Sequence, residues 1–195
     1  RCTAANRETQ GDRHVPYLVN LMAPAEQLDQ RLEVALQAGA DGALMAPWVI
    51  GLDRVRELTS RWPGIHLGHP SMSGVVTSQG DGGISLSIVH GTLARLAGLD
   101  GSVFVNAGGR FTTTREQGRQ IAAELRAPLG QIAPGWAIPA GGMSAARIPE
   151  MVEDFGSDTM ILIGGSLLAD QRGVEASTAE ILERIRDEFA RAKES

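Results

Sequence analysis

Two glycine doublets near the C-terminus each follow a short apolar run that is typical of a buried strand. They are Gly141-Gly142 and Gly164-Gly165. Glycine allows backbone N–H groups to approach an anion closely, and a helix that follows the turn points its positive end at the same place. One doublet is equally compatible with a plain strand-to-helix turn, but two on successive strands favour a shared phosphate-binding site.

Three side chains at other strand ends could transfer a proton or bind an oxygen atom. His69 is the best acid–base candidate, since imidazole titrates near neutral pH. Arg110 follows Gly108-Gly109 in a loop that could place its guanidinium on a phosphate or a developing enolate oxygen, although a solvated surface arginine is the simpler alternative. Asn106 could bond a substrate hydroxyl or cap the same loop.

The other three histidines are predicted to be structural. His66 either has the opposite strand parity to His69 or lies just outside the strand, His90 falls within a predicted helix, and His14 lies in a linker. The sequence contains no His-x-x-x-His, paired cysteines or Asp-rich loop that would indicate a metal site. A Walker motif, a dinucleotide fingerprint and a nucleophile elbow are also absent from the sequence.

Lysine is almost missing from the chain. Of the 18 basic residues, only Lys193 in the C-terminal tail is a lysine. A Schiff base, a carbamylated lysine or a lysine general base is therefore excluded in the rest of the chain.

The candidate residues lie at the ends of strands in a repeated strand–loop–helix pattern. Strands are predicted at 17–21, 42–47, 65–69, 102–106, 137–140 and 159–163, and helices at 25–38, 52–62, 85–97, 115–125, 145–155 and 177–192. Strict alternation of six such units predicts a parallel sheet, either open or closed into a barrel. Six units do not close an eight-stranded barrel, and residues 1–11 resemble the tail of an earlier helix.

Composition and charge are those of an ordinary globular α/β domain. The 195 residues are 43% hydrophobic and 21% charged, and the net charge of −5 gives no electrostatic case for nucleic acid or an anionic membrane surface. No apolar run reaches membrane-spanning length, and the polar start does not resemble a signal peptide. The single Cys2 excludes an internal disulfide and fits a cytoplasmic protein.

In their order and spacing, five stretches resemble the C-terminal barrel of the RuBisCO superfamily. They are 5–9 with 17–20, 65–74, 98–111, 138–144 with 148–149, and 155–156 with 163–165. More specifically, they resemble the RuBisCO-like proteins (form IV), which do not fix CO2. The resemblance implies that residues 1–195 are the C-terminal part of a TIM-type (β/α)8 barrel. They would supply strands three to eight, without the N-terminal domain and the first barrel strands.

The resemblance also assigns roles to the two glycine doublets. Gly164 and Gly165 match the pair whose amides hold one substrate phosphate. Gly141 and Gly142 match the preceding turn, in which carboxylases place a serine where this sequence has Ala140.

The remaining matches depart from the carboxylases. His69 matches an active-site histidine, but the arginine that follows it and binds a second phosphate is replaced by Pro70. The lysine that orients CO2 has no counterpart, Arg110 being nearest, and Asn106 stands where carboxylases have a histidine. These departures imply a substrate with one phosphate and no carboxylation.

The family places its magnesium ligands in a Lys-x-Asp-Glu cluster that would precede Arg1, so Mg is expected with no ligand in this chain. Its active site lies between the barrel of one subunit and the N-terminal domain of another. The resemblance therefore implies a homodimer or larger homo-oligomer that binds a phosphorylated small molecule.

The favoured function is magnesium-dependent enolisation, with tautomerisation or isomerisation of a monophosphorylated keto-sugar or keto-acid. Decarboxylation or hydrolysis of a phosphorylated 3-oxo sugar acid is the first alternative. An aldolase or isomerase of another phosphate-binding barrel lineage is the second, with lysine-based aldolase chemistry disfavoured. The third is an inactive fragment or binding module that lacks the metal strand.

Overall fold

The computed structural model describes residues 1–10, 13–77, 82–108 and 113–194. Its centre is a parallel sheet whose strands are β1 Leu18–Asn20, β2 Gly42–Met45, β3 Ile65–Gly68, β4 Gly101–Val105 and β5 Trp136–Ala140. The strands lie side by side in chain order, and every neighbouring pair is parallel. The predicted parallel α/β architecture is confirmed.

Helices connect the strands and cover one face of the sheet. They are α1 Cys2–Gln10, α2 Leu28–Gln37, α3 Pro47–Ile50, α4 Leu52–Arg61, α5 Leu93–Leu96, α6 Arg115–Arg126, α7 Ile148–Phe155, α8 Gly165–Ala169 and α9 Val174–Glu194. Short 3₁₀ turns lie at Ala25–Gln27, Ser73–Val75 and Ala145–Arg147. None of the described helices combines the length and the apolar composition that crossing a membrane requires.

Strand residues of alternate parity face opposite sides of the sheet, as the pleat requires. On the helix side, Phe104 from β4 meets Phe155 from α7 with ring centroids 5.7 Å apart, inside a core that includes Leu125 from α6. On the other side, Val103 and Ile138 pack together with Leu67 in a smaller cluster made of strand residues. The sheet is therefore apolar on both faces.

The prediction of a sixth strand at 159–163 is wrong. This segment makes one parallel bridge, between Ala137 and Thr159, and the Met160 N–H donates to the Ala137 carbonyl at 3.1 Å. A strand needs a ladder on at least one side, and within the described ranges one bridge is all that β5 offers it. β1 and β5 are thus the edges of the sheet, and closure into a barrel stays a prediction.

The helix predicted over 85–97 is observed over 86–96, but its middle, Ile88–Thr92, is π-helical. At Gly91 this segment lies close to α6, because an added Cβ would be 2.7 Å from Glu124 Cβ. The close approach explains the glycine. The sequence pattern predicted the helix but not its wider turn.

Arg95 fixes the connection between α6 and β5. Its side chain is buried, and its guanidinium donates to the carbonyl oxygens of Glu124, Ala127, Ile132 and Ala133 at 2.7–3.2 Å. The bonds to Glu124 and Ala127 satisfy carbonyls at the end of α6 that have no helical partner. The other two bonds hold the connection that follows α6. The residue therefore helps to determine where β5 enters the sheet.

Candidate active site

The C-terminal ends of β3, β4 and β5 open into a cavity of about 1270 Å³. His69 lines it after β3, Gly108 after β4, and Gly141 and Gly142 after β5. Parallel strands bring the residues that follow them to one edge of the sheet, which is where α/β folds bind their ligands. The structure thus joins His69 and the first glycine doublet, which are 72 residues apart in the chain.

Hydrogen bonds of the backbone and of the ring hold His69 in the wall of the cavity. Its N–H donates to the Met45 carbonyl at 2.7 Å, which extends the pairing of β3 with β2 by one residue. Its Nδ1 lies 2.8 Å from Ser71 Oγ and accepts the Ser71 N–H at 3.2 Å. Partial burial of the ring lowers the pKa of His69 below its usual value, so the imidazole is neutral at pH 7.

The turn at Gly141-Gly142 exposes backbone N–H groups. The φ angles are +95° and +65°, in the left-handed region that favours glycine. Both residues are exposed, and neither N–H donates a hydrogen bond to another described residue. The turn therefore offers two free donors at the cavity wall, followed by the 3₁₀ turn and α7.

The second doublet is placed differently. Leu162 lines the cavity, whereas Gly164 and Gly165 are exposed residues outside its lining. Neither glycine has a positive φ, and a Cβ added to either would meet nothing within 4 Å. Backbone conformation does not explain these glycines, and the shared phosphate site of the two doublets stays a prediction.

Asn106 points away from the cavity. It is 1% exposed, and its amide nitrogen lies 3.1 Å from Met151 Sδ and 3.7 Å from Met143 Sδ in the helix-side core. Its backbone N–H donates to the Ala140 carbonyl at 2.9 Å, so it joins the ends of β4 and β5. Strand parity was the available signal, since Asn106 has the parity of Phe104, which packs in the helix-side core. The side chain therefore lies in the helix-side core, and the predicted bond of Asn106 to a substrate hydroxyl stays a prediction.

Arg110 and Gly109 lie outside the described residues, so their predicted role in binding oxygen is untested. A basic residue that sequence reasoning missed lies close to their loop. Arg147 donates from Nη2 to the Ala107 carbonyl at 2.9 Å and is held by Glu150 at 2.9 and 3.1 Å. Its buried Nη1 has no partner among the described residues. The basic–acidic pair three residues apart in a predicted helix was the available signal.

Two other histidines are buried. His66 lies with Nε2 2.7 Å from the Trp62 carbonyl and its ring edge-on to the indole, so its predicted structural role is confirmed. His90 lies in the π-helical segment and contributes to the cavity wall, with Nδ1 3.4 Å from Ser102 Oγ. Burial lowers the pKa of His90 to about 4. Its contact with the cavity was not predicted.

Known proteins resemble the chain over nearly its whole length. It is 33% identical over 181 residues to the 5-methylthioribulose-1-phosphate isomerase of Rhodospirillum rubrum, covering 92% of this chain and 46% of that protein. It is 30% identical over 175 residues to the 2,3-diketo-5-methylthiopentyl-1-phosphate enolase of Exiguobacterium sibiricum, covering 88% and 43%. A crystal structure of a RuBisCO-like protein from Rhodopseudomonas palustris matches with a TM-score of 0.83 and 26% identity, covering 95% of this chain and 49% of that one.

The chain belongs to the RuBisCO-like proteins. No protein-family model matches it. The resemblance inferred from the sequence motifs is thus confirmed. The chain spans about half the length of the curated RuBisCO-like relatives that it matches, at 46%, 40% and 43% for three of them.

The described residues of this chain do not offer a binding site for the magnesium that the RuBisCO-like resemblance implies. Within residues 1–10, 13–77, 82–108 and 113–194, no three His, Cys, Asp or Glu side chains are grouped so that they could hold a metal ion.

Proposed function

We propose that this chain supplies the phosphate-binding and proton-handling half of an active site that enolises a monophosphorylated keto-sugar. The observation that carries the proposal is the position of His69 in the same cavity as the free N–H groups of Gly141-Gly142. The names of the isomerase and enolase relatives support a substrate of the methylthiopentyl phosphate type.

In this proposal the glycine turns bind the anionic part of the substrate. The N–H groups of both doublets, Gly141-Gly142 and Gly164-Gly165, bind oxygens of the substrate phosphate. Open space around a Cβ position at Gly164 and Gly165 supports a ligand rather than packing as the reason for glycine there. Arg110 adds a cation to the same group of oxygens. A cavity of about 1270 Å³ has room for one such substrate.

His69 serves the reacting carbonyl. Enolisation removes a proton from the carbon beside a carbonyl and places negative charge on the carbonyl oxygen. A neutral imidazole in the cavity wall can donate a hydrogen bond to that oxygen or pass a proton to it. Apolar residues such as Val103 and Val105 line the same cavity, and their low polarity strengthens this interaction.

The rest of the active site is proposed to come from outside this chain. The half-length match to the relatives supports an active protein in which further segments complete a (β/α)8 barrel and its metal site. A second copy of the protein is proposed to complete the site, which would make it a homodimer or a larger homo-oligomer.

Turnover by the full-length protein tests the proposal. With Mg²⁺ present, we expect it to tautomerise or isomerise 5-methylthioribulose 1-phosphate or 2,3-diketo-5-methylthiopentyl 1-phosphate, followed by ³¹P and ¹H NMR. We also expect no incorporation of labelled CO2 into ribulose bisphosphate. Carboxylation, or inertness towards both monophosphates, would contradict the proposal.

A further inference from the structure

His69 and Ser71 form a side-chain pair within one turn after β3, and both line the cavity. The ring Nδ1 faces two donors of the same residue, the Ser71 hydroxyl at 2.8 Å and the Ser71 N–H at 3.2 Å. The proposed enolisation does not by itself require Ser71. Its position therefore calls for an explanation of its own.

The two contacts determine which ring nitrogen carries the proton. A backbone N–H can only donate, so the Nδ1 atom that faces it must be an acceptor. A neutral imidazole has one acceptor nitrogen and one N–H. The proton of His69 is therefore on Nε2, and the Ser71 hydroxyl donates to Nδ1 as well.

Further hydrogen bonds in the same turn hold Ser71 beside Nδ1 of the ring. Ser73 donates from both its N–H (3.1 Å) and its hydroxyl (2.8 Å) to the Pro70 carbonyl. Met72, between the two serines, has a φ of +65°, and no other described non-glycine residue has a positive φ. A strained residue of this kind persists where surrounding bonds fix it, often beside a functional group.

We propose that Ser71 is a positioning residue that holds His69 as the Nε2–H tautomer, so that His69 donates a hydrogen bond to the substrate oxygen on which charge develops. The proposal rests on the proposed function for its catalytic part. In this proposal the neutral His69 ring donates a hydrogen bond from Nε2–H and does not accept a proton at that nitrogen. Lowering of the His69 pKa by burial keeps the ring neutral at pH 7, which agrees with this role.

The tautomer can be read directly from the full-length protein. The chain contributes four histidines to a long-range ¹H–¹⁵N spectrum of histidine-labelled protein, and loss of one set of ring signals in His69→Asn identifies His69. We expect a protonated Nε2 and an unprotonated Nδ1 at pH 7. A proton on Nδ1 overturns the inference, whatever the activity.

Ser71→Ala and Ser71→Thr test the role of the hydroxyl. Ser71→Ala keeps the longer N–H contact to Nδ1 at 3.2 Å and loses the shorter hydroxyl contact at 2.8 Å, so the preference for the Nε2–H tautomer should weaken. We expect kcat to fall about fivefold, with KM little changed. Ser71→Thr keeps the hydroxyl, so it should retain the Nε2–H tautomer and the kcat of the wild type. A single Nε2–H tautomer and wild-type kcat in Ser71→Ala would remove Ser71 from the account. The expected tautomer in a protein without turnover would instead overturn the proposed function alone.

Discussion

The backbone at Gly141 has a φ of +95°, and an added Cβ would meet no atom within 4 Å. Alanine at this position therefore strains the backbone by about 1–2 kcal/mol without any steric clash. Relief of that strain moves the N–H groups of the turn. We expect Gly141→Ala to weaken binding of inorganic phosphate to the full-length protein about tenfold, measured by calorimetric titration.

Gly130→Ala is the matched control. Gly130 also has a positive φ, +56°, and open space around its Cβ position, but it lies in the connection between α6 and β5. Both variants should lose similar stability, and only Gly141→Ala should lose phosphate affinity. Equal affinities in the two folded variants would argue against anion binding at the Gly141-Gly142 turn.

For single residues, the sequence was enough to identify those that follow strands. It was not enough where the direction of a side chain decides whether the residue faces the cavity. His69 and the first doublet could be assigned because a parallel sheet gathers its strand ends. Asn106 could not be placed from its position at a strand end alone, because it has the parity of the helix-side face. Arg147 was missed because its partner, the Ala107 carbonyl, is 40 residues away.

Among the elements, Arg147 ties the turn after β5 to the loop after β4. Its bond to the Ala107 carbonyl fixes the start of the loop that carries Arg110. Glutamine is too short to keep that bond and the Glu150 pair together. We expect Arg147→Gln to lower kcat/KM of the full-length protein about tenfold, which corresponds to about 1.4 kcal/mol, measured by steady-state kinetics.

Arg126→Gln is the control for this prediction. Like Arg147, Arg126 donates to a distant backbone carbonyl, that of Asp158 at 2.8 Å. This bond lies at the opposite end of the strands, beside the start of β5. Arg126→Gln should cost stability in urea unfolding and leave kcat/KM within twofold of wild type, since surface changes away from a site have small effects. A similar loss of kcat/KM in both variants would mean that Arg147 acts through stability alone.

The order of the elements followed from hydrophobic periodicity, and the boundaries of the first five strands were close. The sixth strand failed because periodicity reports burial and not pairing. Residues 160–163 are apolar and all but Leu162 are partly buried, yet among the described residues the segment 159–163 forms one bridge to β5. The π-helical turn at Ile88–Thr92 was equally hidden, since it depends on the contact of Gly91 with α6.

For the whole molecule, His90 links burial to the pH dependence of folding. Burial lowers the pKa of His90 to about 4 from the ordinary value of 6.5. Between pH 4 and pH 6.5 the unfolded chain therefore binds more protons at His90 than the folded chain does. The contribution of neutral, buried His90 to the free energy of unfolding is complete above pH 6.5 and is lost as the pH falls towards 4. Each pKa unit is worth 1.36 kcal/mol, which makes the full loss about 3 kcal/mol.

Urea unfolding at several pH values checks this. Between pH 6.5 and 4 we expect the free energy of unfolding of the wild type to fall more steeply than that of His90→Gln, which has no group to titrate there. The variant will be less stable at pH 7 because of altered packing, so the slopes are the quantity to compare. Identical slopes would show that His90 does not bind its proton differently in the folded and unfolded chain.

The molecule is one parallel sheet with apolar side chains on both faces and a ligand-sized cavity at its C-terminal edge. This arrangement and the relatives agree on a RuBisCO-like protein. Sequence reasoning anticipated the family from five short stretches, because their spacing reflects the strand ends that the fold brings together. Barrel closure, the second subunit and the metal depend on residues beyond those of this sheet and remain proposals.

Solvent exchange is the most direct test of the central claim that this cavity supports enolisation. The full-length protein is incubated in D2O with a monophosphorylated keto-sugar, and deuterium at the carbon beside the carbonyl is followed by ¹H NMR. We predict exchange by the wild type, exchange slowed about 100-fold in His69→Asn, and an unchanged rate in His14→Asn. No exchange by the wild type, or exchange at the wild-type rate in His69→Asn, would contradict the account.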